Sequence, residues 1–174
     1  EKYDSENDKE SVPQGDATLK GAEFAITSQN DQPVVVDGKT YNKGEVVKTI
    51  VTDEKGFAST EVNTLPYGDY SYEETKSSKG YKVSGTGLTG TFSIIDDGKI
   101  IARTYAKDKS GTAEDVIRGG LSLQKLDKEL NEAQAQGEAT LENAEFSIIN
   151  RSTNAVKVNG KMYDPGQTVM KIYT

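Results

Sequence analysis

Lys2, Glu74 and Lys125 are the side chains whose types and phase first point to chemistry in this chain. Side chains on a strand alternate between two faces. In "YSYEETKSSKGY" (70–81), Tyr70, Tyr72 and Glu74 therefore share one face, and Ser71, Glu73 and Thr75 share the other. The first face carries two large aromatics and then a carboxylate, so Glu74 is in phase with a core. In "GGLSLQKLDKE" (119–129), Leu121, Leu123 and Lys125 are likewise in phase, and the matching lysine near the start of the chain is Lys2. Burying an isolated charge is costly, and such groups shift their pKa and neutralise instead. A neutral amine is a nucleophile. Beside a side-chain Asp or Asn carbonyl it can attack, with a protonated Glu polarising that carbonyl and shuttling the proton. Fixed contact supplies the effective concentration such an amidation needs. The product is a side-chain isopeptide cross-link. The same alternation also accommodates a plain buried Lys–Glu ion pair.

The elements that must hold these residues read as β-strands. "AEFAI" (22–26) alternates and is rich in strand formers. "VVVDGKTY" (34–41) and "SIIDDGKII" (93–101) each place Asp-Gly between apolar runs, a strong hairpin signal. "TDEKGFAS" (52–59) reads as a tight turn, and "LPYG" (65–68) as a turn leading into a strand. Helical periodicity is weak; its best case, "QKLDKELNEAQA" (124–135), is short and polar and reads as a loop or a single turn. Short strands with closely spaced turns predict an all-β sandwich.

The chain also repeats itself. Gln14–Thr52 and Gln136–Thr174 align without a gap at an offset of 122 (136 minus 14), with 18 of 39 pairs identical. Upstream, "EKYD" (1–4) matches "QKLD" (124–127) with one residue of slippage. This predicts a tandem array of one unit: a complete domain over 1–118 and the N-terminal part of a homologous one over 119–174. The counterpart of Glu74 falls beyond Thr174, so Lys125 is expected to remain a free amine, and the open edges of the half-unit invite strands from another molecule.

Composition narrows the classes. The 174 residues include no Cys, His or Trp, with 33% hydrophobic and 28% charged residues and a net charge of −7. There is no triad base, no thiol nucleophile and no transition-metal ligand set, so no metal or cofactor is expected. The acidic balance argues against nucleic acid as a partner. No run is long and apolar enough to cross a membrane. No leader opens the chain, which predicts a cytosolic protein or a mature fragment. "YDSENDKE" (3–10) spaces acidic residues like a calcium loop but lacks the Gly and Glu of one, so a solvated loop is expected. Tyr41, Tyr67, Tyr70, Tyr72, Tyr81, Tyr105 and Tyr163 are the aromatics available to a sugar site, with sheet packing as the default for most of them. "VIRGG" (116–120) reads as a last strand running into a short joint between units, which favours a stiff array.

Five blocks in order, "KxD" on the first strand, "LKGAEFAI" (19–26), "TDEKGFAS", "LPYGDYSYEETKSSKGY" (65–81) and a following hairpin, resemble the Cna protein B-type, or SpaA-like, domains of Gram-positive surface proteins. The resemblance implies a prealbumin-like (reverse Ig-like) β-sandwich. It also implies an autocatalytic Lys–Asn or Lys–Asp isopeptide bond with a catalytic Glu, in domains that build pili and adhesin stalks. By position, Lys2 resembles the amine donor and Glu74 the catalytic acid. The acceptor is implied on the last strand, in "KDKSGTAEDVIRGG" (107–120), which holds no Asn. Asp115 is the first choice, with Asp108 and Glu114 as alternatives, and the bond would form with loss of water. "KSSKGY" departs from the Ala-Pro that often follows the Glu. The function implied is that of an extracellular stalk module, not an enzyme with turnover. Its partners would be neighbouring repeats and, through sortase anchoring elsewhere in the protein, the cell wall. The alternative is an adhesin module that binds a host protein or glycan.

Overall fold

A computed structural model describes residues 1–7, 9–104 and 109–174. The chain divides into two compact units, Glu1–Ile117 and Arg118–Thr174. All its named elements are strands. In the first unit these are β1 (Lys2–Asp4), β2 (Glu23–Ser28), β3 (Val34–Val36), β4 (Lys39–Tyr41), β5 (Val46–Val51), β6 (Gly68–Lys76), β7 (Tyr81–Thr86), β8 (Thr89–Ile94) and β9 (Thr112–Val116). They form a four-stranded sheet ordered β5-β2-β6-β8, a three-stranded sheet ordered β1-β9-β7, and the β3-β4 hairpin.

Each sheet owes its place to residue chemistry. The core of the larger sheet gathers Ile26, Val34, Val36, Val47 and Tyr70, with Ile50, Phe92 and Ile94 packed against it. Tyr70 and Phe92 stack with ring centroids 5.7 Å apart. A second cluster, Ala17, Leu19 and Tyr81 with Val116, fills the space under the smaller sheet. β3 and β4 are joined by Asp37-Gly38, both at positive φ (50° and 76°), as a two-residue type I′ turn requires. The expected alternation on β6 holds: Tyr70 and Glu74 are buried, while Glu73 and Thr75 are exposed.

Two features of strand pairing fix the positions of Lys2 and Glu74. β1 runs parallel to β9, with Lys2 opposite Thr112 and Asp4 opposite Glu114. The first and last strands of the unit are thus direct neighbours. On β6, Phe24 opposes Glu74 while Glu23 opposes Lys76, which leaves Thr75 as the extra residue of a bulge beside Glu74.

The second unit contains β10 (Glu145–Ile149), β11 (Val156–Val158), β12 (Lys161–Tyr163) and β13 (Thr168–Tyr173). Glu145 pairs with Tyr173 as Glu23 pairs with Val51, both shifted by 122. The register slips between Ile148 and Ile149, as it does between Ile26 and Thr27. The Asn159-Gly160 turn between β11 and β12 has a closely similar pair of positive φ values, 49° and 79°.

Two expectations are corrected. "SIIDDGKII" makes a turn, with Gly98 at φ 67°, but β8 ends at Ile94 and residues 99–104 join no ladder. Arg103 instead reaches back by its side chain to the carbonyl of Thr91, at 3.1 Å. Likewise, residues 121–125 form no strand, and Leu121, Leu123 and Lys125 are exposed rather than turned to a core. β1 depends on β9 for its pairing, and residues 118–174 hold no counterpart of β9. Residues 124–135 are a turn-rich loop closed by one bridge between Asp127 and Glu132, as their polarity predicts.

Candidate functional site

Lys2 is fully buried, and three elements converge on its ammonium. The backbone of β1 is fixed at this point by the 52–59 turn. There the Asp53 carboxylate accepts from the N–H groups of Lys55 and Phe57. Gly56, at φ 85°, comes so close that its carbonyl accepts from the Lys2 N–H at 2.7 Å. A Cβ on Gly56 would lie 2.2 Å from the Lys2 carbonyl oxygen, so only glycine fits both the conformation and the space.

Lys2 Nζ donates to Glu74 Oε1 at 3.3 Å and is in direct contact with Glu114 Oε2. All three side chains are excluded from solvent. Ser77, in the loop after β6, donates its hydroxyl to the same Glu114 oxygen at 2.6 Å and lies 3.5 Å from Lys2 Nζ. The remaining oxygens, Glu74 Oε2 and Glu114 Oε1, are buried without a hydrogen-bond partner.

Burial sets the electrostatics of the cluster. Desolvation pushes the Lys2 ammonium down to about 8, against the opposing pull of Glu74. Desolvation likewise raises Glu74, again opposed by Lys2. One cation faces two carboxylates in a dry site, and desolvation works against the charged forms of both Lys2 and Glu74. A lysine held against a carboxylate oxygen, with a second carboxyl group beside it, has the parts for amide formation.

A polar clasp anchors the other end of β1. Tyr81 donates its hydroxyl to Asp4 Oδ2 at 2.7 Å, and the Gln14 amide donates to Asp4 Oδ1 at 2.9 Å. The Tyr81 ring lies under Lys2, with its centroid 5.0 Å from Nζ. Burial and the Asp4 carboxylate both raise the Tyr81 phenol, which stays a donor. In the second unit Gln136 donates to Asp127 at 2.8 Å in the same manner.

Of the residues anticipated from sequence, Lys2 and Glu74 come together, and Glu114 rather than Asp115 stands with them. Alternation is the reason: Glu114 shares its face with Thr112 and Val116, whereas Asp115 points outward. The Asp115 side chain is 45% exposed, 3.8 Å from Lys82 Nζ, and accepts from Ser5 Oγ at 2.8 Å. Asp108 and Tyr105 lie outside the described residues. Lys125 is exposed. Tyr70 and Tyr81 are core residues and offer no face to a sugar. Ser77 and Gln14 were not anticipated. The "KSS" departure after Glu74 and the repeated "QG" at 14 and 136 are the signals that could have found them.

Comparison with known proteins agrees with this fold. No curated protein matches the chain significantly. A solved structure of the Bacillus anthracis TIE protein is similar over 99% of this chain, with 27% identity and a TM-score of 0.50. The chain spans 23% of that protein's length. The SpaA prealbumin-like fold domain matches residues 7–113, and with its all-β architecture the chain belongs to that family.

Proposed function

We propose that this chain is a structural stalk module of an extracellular, cell-wall-anchored protein of Gram-positive type, with its first unit locked by an autocatalytic amide between Lys2 and Glu114. The observation that carries this is the buried contact of Lys2 Nζ with Glu114 Oε2, with Glu74 Oε1 3.3 Å from the same nitrogen. Glu74 acts as the acid that polarises the Glu114 carboxyl by lending its proton and takes that proton back at the end. The reaction happens once per chain, so the module is a self-modifying structure and not an enzyme. Its partners are neighbouring repeats of the same protein and, through sortase attachment elsewhere in the protein, the cell wall. Family membership and the likeness to the TIE protein support a surface-module role.

The test is the intact mass of the chain under denaturing conditions, beside Glu74→Ala. Wild type lighter than its sequence by one water, with the variant at full mass, is the expected result. Two full masses would leave Lys2, Glu74 and Glu114 as an ion-paired cluster and overturn the cross-link. Binding to a host glycan or protein on an array would favour the adhesin alternative; a stalk unit is silent there.

A further inference from the structure

We infer that Ser77 is a further catalytic residue of the self-reaction, passing a proton from the Lys2 amine to the oxygen that Glu114 gives up. The inference rests on the cross-link proposed above. Three contacts meet at one place: Lys2 Nζ on Glu114 Oε2, Ser77 Oγ 2.6 Å from that same oxygen, and Lys2 Nζ 3.5 Å from Ser77 Oγ. A hydroxyl has one proton to donate and lone pairs to accept. The other acceptor for the Ser77 proton, the Ser78 carbonyl, is 3.4 Å away, so the short bond to Glu114 takes it. Ser77 thus accepts from the amine and donates to the departing oxygen, with no water required in a closed site.

Atoms and protons balance. The Lys2 ammonium first gives a proton to Glu114 Oε2 across their contact, leaving a neutral amine and a neutral acid. The nitrogen then attacks the Glu114 carboxyl carbon while Glu74 lends its proton to Oε1. A second N–H proton passes to Ser77 Oγ as Ser77's own proton passes to Oε2, which leaves as water. The carbonyl re-forms and Glu74 recovers its proton. An ammonium and a carboxylate become an amide and a water, with Ser77 and Glu74 unchanged.

The experiment follows water loss with time by intact mass in chains freshly made by cell-free synthesis and quenched in acid, for wild type, Ser77→Ala and Ser77→Thr. We expect Ser77→Ala to slow bond formation by at least about tenfold and Ser77→Thr, which keeps the hydroxyl, to restore most of the rate. Thermal unfolding of Glu74→Ala with and without Ser77→Ala separates packing from chemistry, and equal midpoints are expected. A wild-type rate in Ser77→Ala overturns the role of Ser77 while leaving the cross-link standing. Equal slowing in Ser77→Thr, or a lower midpoint in the double variant, assigns Ser77 to packing and also overturns it. A wild type that never loses water overturns both proposals.

Discussion

At the scale of single residues, the acceptor decides the product. An acid acceptor releases water, whereas an amide acceptor releases ammonia. Glu114→Gln is therefore expected to end lighter by one ammonia than its own sequence, and Asp115→Asn to lose one water as wild type does. Loss of one water in Glu114→Gln together with loss of one ammonia in Asp115→Asn would move the acceptor to Asp115. Proton count sets a second expectation. With Lys2 at about 8, alkaline solution strips the proton that must leave with the Glu114 oxygen, so the initial rate should fall above about pH 8 in a stopped time course. Stability carries the matching signature in a chain that cannot react. Burial holds Lys2 below its unfolded value, so the unfolded chain binds more protons between about 8 and the ordinary lysine range. The stability of Glu74→Gln should accordingly rise with pH across that window in urea titrations. A flat profile would mean that Lys2 is hydrated. Phase on β6 made Glu74 legible in the sequence, whereas Lys2 was reached through its repeat match to Lys125 and through the family resemblance. Glu114 and Asp115 are adjacent, and one residue of register on a five-residue strand separates inside from outside. No propensity encodes that step; the pairing of β9 with β1 does.

At the scale of elements, the site depends on how closely the 52–59 turn approaches β1. Gly56→Ala forces a side chain into left-handed backbone and against the Lys2 carbonyl. The expected cost is ~1–3 kcal/mol from the strained conformation alone, read as a lower midpoint in chemical denaturation, together with slower water loss. An unchanged midpoint would show that β1 shifts freely, and the turn would not be what positions the amine. The β3-β4 hairpin was legible because Asp37-Gly38 is a local signal for positive φ, and Asn159-Gly160 stands at the equivalent place in the repeat. Asp96-Asp97-Gly98 carried a similar signal, but only its turn is realised, since a turn dipeptide specifies chain reversal and not the presence of a partner strand. The strand predicted over 121–125 fails for the same reason: a pattern of apolar residues fixes which face a strand would bury only once a neighbouring strand exists. Asp127 and Gln136 keep their clasp without that strand, because it is made within one loop.

At the scale of the whole molecule, the proposed bond joins residues 112 apart in sequence. Closing so long a loop restricts the unfolded chain as a disulfide would, worth about 5 kcal/mol on the loop-entropy account. Glu74→Ala should therefore unfold at a clearly lower temperature and become sensitive to protease under conditions that wild type survives. Similar midpoints in a wild type shown to be cross-linked would mean that its unfolded state is already compact.

The parallel pairing of β1 with β9 has a mechanical meaning. Tension applied at Glu1 and Ile117 pulls β1 toward its start and β9 toward its end, in opposite senses along a shared axis. Their hydrogen bonds are then loaded together in shear rather than opened one after another like a zipper. The proposed amide from Lys2 to Glu114 would sit across that shear plane near the point where force enters. The load path would run through a few residues at either end, and the 111 residues between the two anchors (114 minus 2, less one) would carry almost none of it. So tied, such a unit would transmit force without lengthening, as an inextensible link in a chain.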